Sequence, residues 1–112
     1  YSPFYFSKGE TMNFELNHKG FESYLLERRP IPHLPSSIQY LFKFENGYGA
    51  SVVKSPYSYG GEIGQWELGV IFFDPKTDEW HLTYDTPITN DVVGYLSDSE
   101  VRELLHRIKK LK

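Results

Sequence analysis

The sequence predicts an α+β protein: an antiparallel sheet of about four strands, to which an N-terminal strand can be added, with a carboxy-terminal helix packed on one face. Three observations carry that prediction. Apolar and polar residues alternate in runs separated by short turn signals. An Asn46-Gly47 pair sits directly between two such runs. Ser97-Asp98-Ser99-Glu100 then opens a stretch whose apolar residues recur at helical spacing.

Taken in order, the only methionine is Met12, just after Lys8-Gly9-Glu10-Thr11. A purine-rich codon run can encode Lys-Gly-Glu at ribosome-binding distance from that methionine. Residues 1–11 therefore read either as a leader or extension ahead of Met12, or as a native strand-favouring segment with Tyr1, Phe4, Tyr5 and Phe6. No function is placed before Met12. Met12 to Leu16 alternates and predicts a short strand. Phe21, Tyr24, Leu25 and Arg28 follow helical spacing, with Pro30 and Pro32 as a stop. Pro30 to Ser37 reads as an extended connector.

Ile38, Tyr40, Phe42 and Phe44 share one face of a strand by period two. A two-residue Asn46-Gly47 turn of type I′ sets Phe44 opposite Gly49 and Phe42 opposite Ser51, large against small. Trp66, Leu68, Val70 and Phe72 alternate again. Asp74 to Asp78 makes a turn, and Trp80, Leu82 and Tyr84 return as a further strand. Thr86 to Leu96 is irregular, with a short strand at Val92-Val93. Val101, Leu104, Leu105, Ile108 and Leu111 then form the apolar stripe of the helix, with Lys109, Lys110 and Lys112 at its negative end.

The 112 residues suit one domain, 1–112, and the absence of cysteine rules out a disulfide framework or thiolate metal site. No apolar run approaches the length of a membrane span, which favours a cytoplasmic protein. The formal charge of -3, with acids and bases interleaved along the chain, makes nucleic acid an unlikely partner. Nine tyrosines and eight phenylalanines exceed what a core this small readily hides, so some tyrosines belong on the surface, where their stiffness and amphipathic character suit binding.

Catalytic and cofactor signals are weak. Gly47 to Lys54 has Val52 where a kinase-type loop needs its third glycine, and Gly60 to Gly64 precedes a strand rather than opening a helix. His18, His33, His81 and His106 lack metal-ligand spacing, and His81 reads as solvent-facing. Asp85, Asn90 and Asp91 are most simply turn residues. Neither a carboxylate pair among Glu62, Glu67 and Asp85 nor a nucleophilic serine has supporting context, so no catalytic residue, metal or cofactor is expected. What remains is the long loop Ser55 to Gln65. Tyr57 and Tyr59 alternate there, Gly60, Gly61 and Gly64 allow close backbone approach, and Tyr48 and Trp66 flank it. The bland alternative folds both tyrosines back over a sheet edge.

"FENGYGASVV", "YSYGG", "WELGV" and "YDTPITNDVVGYL" resemble a family of small uncharacterised proteins encoded by phages and prophages. The resemblance covers Phe42 to the carboxy terminus. It implies a small cytoplasmic protein of the bacterial host cytosol that works by occupying a surface of a host or competitor protein, and it assigns no activity. Two functional expectations follow. One is a non-enzymatic module that binds and modulates a host protein through Tyr48, Tyr57, Tyr59, Gly60, Gly61 and Trp66. The other is a small-ligand, nucleotide or single-stranded nucleic-acid binder that uses the same tyrosines with Arg28, Arg29, Lys43 or Lys54 on phosphate. An open sheet edge leaves a homodimer available.

Overall fold

A computed structural model of the chain describes residues 14–88 and 91–112. The leader reading of residues 1–11, the Met12 end of the first expected strand, and Asn90 lie outside the described residues. The fold is α+β: an antiparallel sheet with one carboxy-terminal helix on it. The sheet has six strands rather than about four: β1 (Leu25–Arg29), β2 (Ile38–Lys43), β3 (Tyr48–Lys54), β4 (Trp66–Phe73), β5 (Trp80–Leu82) and β6 (Val93–Leu96). β1 to β4 lie side by side in chain order. Beyond β4 the edge is shared. β6 pairs with its first half, Trp66 against Leu96, and β5 with its second half, Phe73 against Trp80.

The two added strands are where local periodicity misleads. The Phe21-Tyr24-Leu25-Arg28 spacing yields only a 3-10 turn (Glu22–Tyr24), and the chain then extends as β1 along β2. Tertiary packing overrides the helical pattern, because Phe21 is buried while Arg28 reaches the Tyr40 hydroxyl. The short strand expected at Val92-Val93 runs instead over Val93–Leu96. At the N-terminal end, Phe14 to Leu16 lies outside the sheet. It crosses the helix-bearing face, where the Tyr40 hydroxyl accepts from the Leu16 N–H at 3.1 Å and donates to the Phe14 carbonyl at 3.0 Å.

The β2–β3 hairpin departs from the two-residue turn by one position. Phe44 N–H donates to the Tyr48 carbonyl, so the loop is Glu45-Asn46-Gly47, and only Gly47 has a positive φ, +87°. This is a three-residue connection with glycine in the left-handed position. Phe42 consequently opposes Ala50 rather than Ser51, and Gly49 opposes Lys43 rather than Phe44. The physical reason is face assignment, since a one-residue slip exchanges the two faces of a strand. The observed register directs Ala50 and Val52 into the core and Ser51 to the opposite face, where its hydroxyl accepts from the Gln39 amide at 2.9 Å.

The helix α1 (Asp98–Lys109) begins with the expected capping box, Ser97 and Glu100 each bonding the other's backbone N–H. It buries Val101, Leu105 and Ile108 against Tyr40, Phe42, Val52, Leu68 and Val70 of the sheet. Each fully buried side chain of this size contributes about 1.5–3 kcal/mol. The opposite sheet face carries a smaller cluster of Leu41, Ile71 and Phe73 with Trp80 packed on it. Among the described residues, no helix is long and apolar enough to cross a membrane.

Candidate functional site

The loop from Ser55 to Gln65 joins β3 to β4 and is built before any ligand is considered. The Ser55 hydroxyl oxygen accepts from the N–H groups of Tyr57 and Ser58, both at 3.1 Å, and the Ser58 hydroxyl oxygen accepts from the Ser55 N–H at 2.9 Å. A 3-10 turn (Gly61–Ile63) follows, entered through Gly60 at φ 91°. Gln65 N–H closes the loop on the Gly60 carbonyl at 2.9 Å. Backbone groups that could have drifted to water are thus paired within the loop.

A second segment locks onto it. Tyr95, in β6, donates its N–H to the Tyr59 carbonyl at 3.1 Å. The approach is so close that a Cβ on Gly60 would lie 2.8 Å from Tyr95 Cα, and one on Gly94 would overlap the Tyr59 Cβ. Tyr95 itself has φ 60°. A non-glycine residue in that conformation costs about 1–2 kcal/mol, which marks a position held by its surroundings for a reason.

The result is a group of three phenol rings and one aliphatic side chain turned to solvent. Tyr57 is 81% exposed, Tyr59 59%, Ile63 68% and Tyr95 60%. The two loop tyrosines therefore do not fold back over the sheet edge. Together with Glu62 these residues line an open cleft of about 440 Å³. Among the described residues, none of the three phenol rings has an aromatic partner and none of the three hydroxyls a hydrogen bond. Glu67, on β4, accepts the Tyr59 N–H at 3.3 Å. Burial pushes its carboxyl above the ordinary carboxylate range; the Tyr59 N–H pulls it back and the charge of Asp91 adds to the rise.

The residues singled out in the sequence separate into two sets. Tyr57, Tyr59, Gly60 and Gly61 belong to the cleft or its frame. Gly61 is buried, and a Cβ there would overlap the Ser55 carbonyl. Trp66 is a core residue, 1% exposed, and lies outside the exposed cluster. Its indole N–H donates to Asp98 Oδ1 at 2.8 Å, and Lys54 Nζ lies 4.1 Å from its ring centroid. Burial lowers the Lys54 pKa, and Asp98 opposes that shift. Tyr48 is half-buried against Phe72 with ring centroids 5.1 Å apart. It stands at the far end of β3 from the loop, about 20 Å away by strand rise. Tyr95 is the residue that sequence reasoning missed. Only the sheet pairing of β4 with β6 brings it beside the loop.

The acids and bases are not evenly interleaved along the chain, as the sequence reading expects, but divided. Residues 55–101 carry nine carboxylates and one lysine, Lys76, whereas the remaining residues carry eleven bases and six carboxylates. The cleft belongs to the acidic part, and its described lining holds Glu62 and no lysine or arginine. Among the described residues, no group of three or more His, Asp and Glu side chains is placed to hold a metal ion. The chain matches no family model, no curated protein and no solved structure.

Proposed function

We propose that this chain is a non-enzymatic protein-binding module whose contact surface is the cluster Tyr57, Tyr59, Ile63 and Tyr95. The observation that supports this reading most directly is the exposure of three tyrosine rings, two on a loop whose backbone is internally hydrogen-bonded and the third on the strand β6 bonded to it. Large apolar groups left in water on a fixed frame lose little conformational entropy when a partner covers them. Such aromatic anchors are the residues that concentrate binding energy at interfaces. The partner class is a bacterial host protein, taken from the resemblance to small phage and prophage proteins. Its binding would modulate the host protein by covering part of its surface.

The nucleic-acid alternative is the weaker of the two. Phosphate contacts dominate such affinity, and the described cleft lining offers a carboxylate and no cation. Of the bases expected on phosphate, Arg28 is engaged by Tyr40 and Glu15, and Arg29 by Gln39.

The experiment is affinity capture from bacterial lysate with the wild-type chain and with a Tyr57→Ala/Tyr59→Ala variant, read by native mass spectrometry. A stoichiometric protein adduct present with wild type and absent from the variant, at nearly equal melting temperature, supports the reading. Capture that survives the double substitution overturns this site.

A further inference from the structure

We infer that the cleft between the Ser55–Gln65 loop and Tyr95 receives a cationic side chain, an arginine above all, from a basic segment of the partner protein. This rests on the protein-binding reading and names the chemistry of its partner.

The first support is ring geometry. Tyr57, Tyr59 and Tyr95 are exposed on the cleft and unpaired with other rings among the described residues. An aromatic face attracts a cation through its quadrupole, and a guanidinium adds planar stacking. This chain already uses that pairing internally: the Arg28 guanidinium lies 5.4 Å from the Tyr40 centroid and Lys54 Nζ 4.1 Å from that of Trp66. The cleft tyrosines have no such cation of their own, since the described lining contains neither lysine nor arginine.

Charge is the second support, and it is independent of the rings. Glu62 stands in the lining, and Glu67 sits behind Tyr59 on the backbone N–H. Asp91 stands close enough to Glu67 for its charge to act on that carboxyl, so three carboxylates gather on this side. A basic segment approaching this side is drawn in by the summed field before contact. An acidic or phosphate-bearing partner would meet repulsion. Carbonyls and phenol hydroxyls at the rim can accept the guanidinium N–H groups that stacking leaves free.

The test uses three capped tripeptides, tri-arginine, tri-lysine and tri-glutamate, titrated into the full-length ¹⁵N-labelled chain. Backbone amide shifts report the position and strength of binding. The expected result is a saturable shift confined to residues 57–64 and 94–96, at least threefold tighter for tri-arginine than for tri-lysine, with none for tri-glutamate. Glu62→Gln should weaken tri-arginine at least threefold. Tyr57→Ala, at an open position that does not threaten folding, should erase the preference for arginine over lysine. Shifts scattered over all exposed carboxylates, equal for arginine and lysine and unaffected by Tyr57→Ala, would overturn the inference. A captured protein partner that requires Tyr57 and Tyr59 but is not displaced by tri-arginine would also overturn it, while leaving the protein-binding reading in place. Loss of that reading is seen separately, as capture indifferent to both tyrosines.

Discussion

Tyr95 donates its backbone N–H to the carbonyl of Tyr59 at 3.1 Å, so one hydrogen bond joins strand β6 to the loop between β3 and β4. It places two exposed phenol rings from distant parts of the chain on the same cleft. The contact depends on Gly94, whose missing side chain leaves room for Tyr59. Gly94→Ala therefore probes the surface without altering any of its side chains. We expect it to reduce partner capture as strongly as loss of Tyr59, with amide shifts at residues 58–61. Capture at wild-type strength would show that the two segments need not be joined.

Asn46 and the carboxy-terminal helix make a similar long-range link. The Asn46 amide donates to the carbonyls of Ile108 at 2.9 Å and Leu111 at 2.9 Å, and its Oδ1 accepts from the Tyr48 N–H at 3.0 Å. Removing a partner from partly buried carbonyls costs about 1–3 kcal/mol, so Asn46→Ala should lower stability by that amount in chemical denaturation. Asn46→Asp should be worse at neutral pH. It sets a carboxylate against carbonyls at the negative end of the helix dipole. Its deficit should shrink as the pH falls through the raised pKa of the new carboxyl. An equal effect of both substitutions at every pH would remove the capping role.

Core and surface aromatics should separate cleanly in a melting experiment. Trp66→Phe loses the hydrogen bond to Asp98 and part of a filled core position, and should cost about 1–3 kcal/mol. Tyr57→Ala should stay within about 0.5 kcal/mol of wild type, as exposed substitutions do. A large loss at Tyr57 would place that ring in the core.

Glu67 gives a pH dependence whose sign is fixed by its cause. Its folded pKa is raised above the unfolded value by burial, so its contribution to stability is fully present below the unfolded pKa. That contribution is lost as the pH rises through the folded pKa. Glu67→Gln keeps an oxygen for the Tyr59 N–H and removes the charge. The variant should be more stable than wild type at neutral pH, with the difference closing on acidification towards the unfolded value. A difference that instead widens as the pH falls would contradict burial as the dominant cause. Glu100 acts in the opposite sense: its pKa is lowered by the Ser97 backbone and side chain, so the capping box weakens on acidification in both proteins.

Much of this fold was legible because its signals are local. Alternation found β2, β4 and β5, and Ser97 with Glu100 marked the start of α1. The misses share a physical origin in long-range packing. Phe21 and Arg28 look helical until the edge of β2 claims the chain between them as β1. Asn46-Gly47 looks like a two-residue turn, yet Asn46 is also bound to the helix end, and the face assignment of Ala50 and Ser51 sets the register. At the site, Tyr57 and Tyr59 stood out by their glycine context. Trp66 carried the same aromatic signal but starts a strand whose inward face it occupies. Tyr95 sits where the alternation of β6 breaks at a positive φ, and nothing near it in sequence announces the loop it meets. The acidic bias of 55–101 was readable from sequence and is lost when local alternation of acids and bases is taken for even distribution along the chain.

The most direct measurement is isothermal titration of a captured partner protein against wild type and against Tyr57→Ala/Tyr59→Ala, with the melting temperature of each recorded beside it. If the exposed tyrosines form the contact surface, affinity falls at least a hundredfold while the melting temperatures stay within a few degrees. Unchanged affinity in the double variant would contradict it.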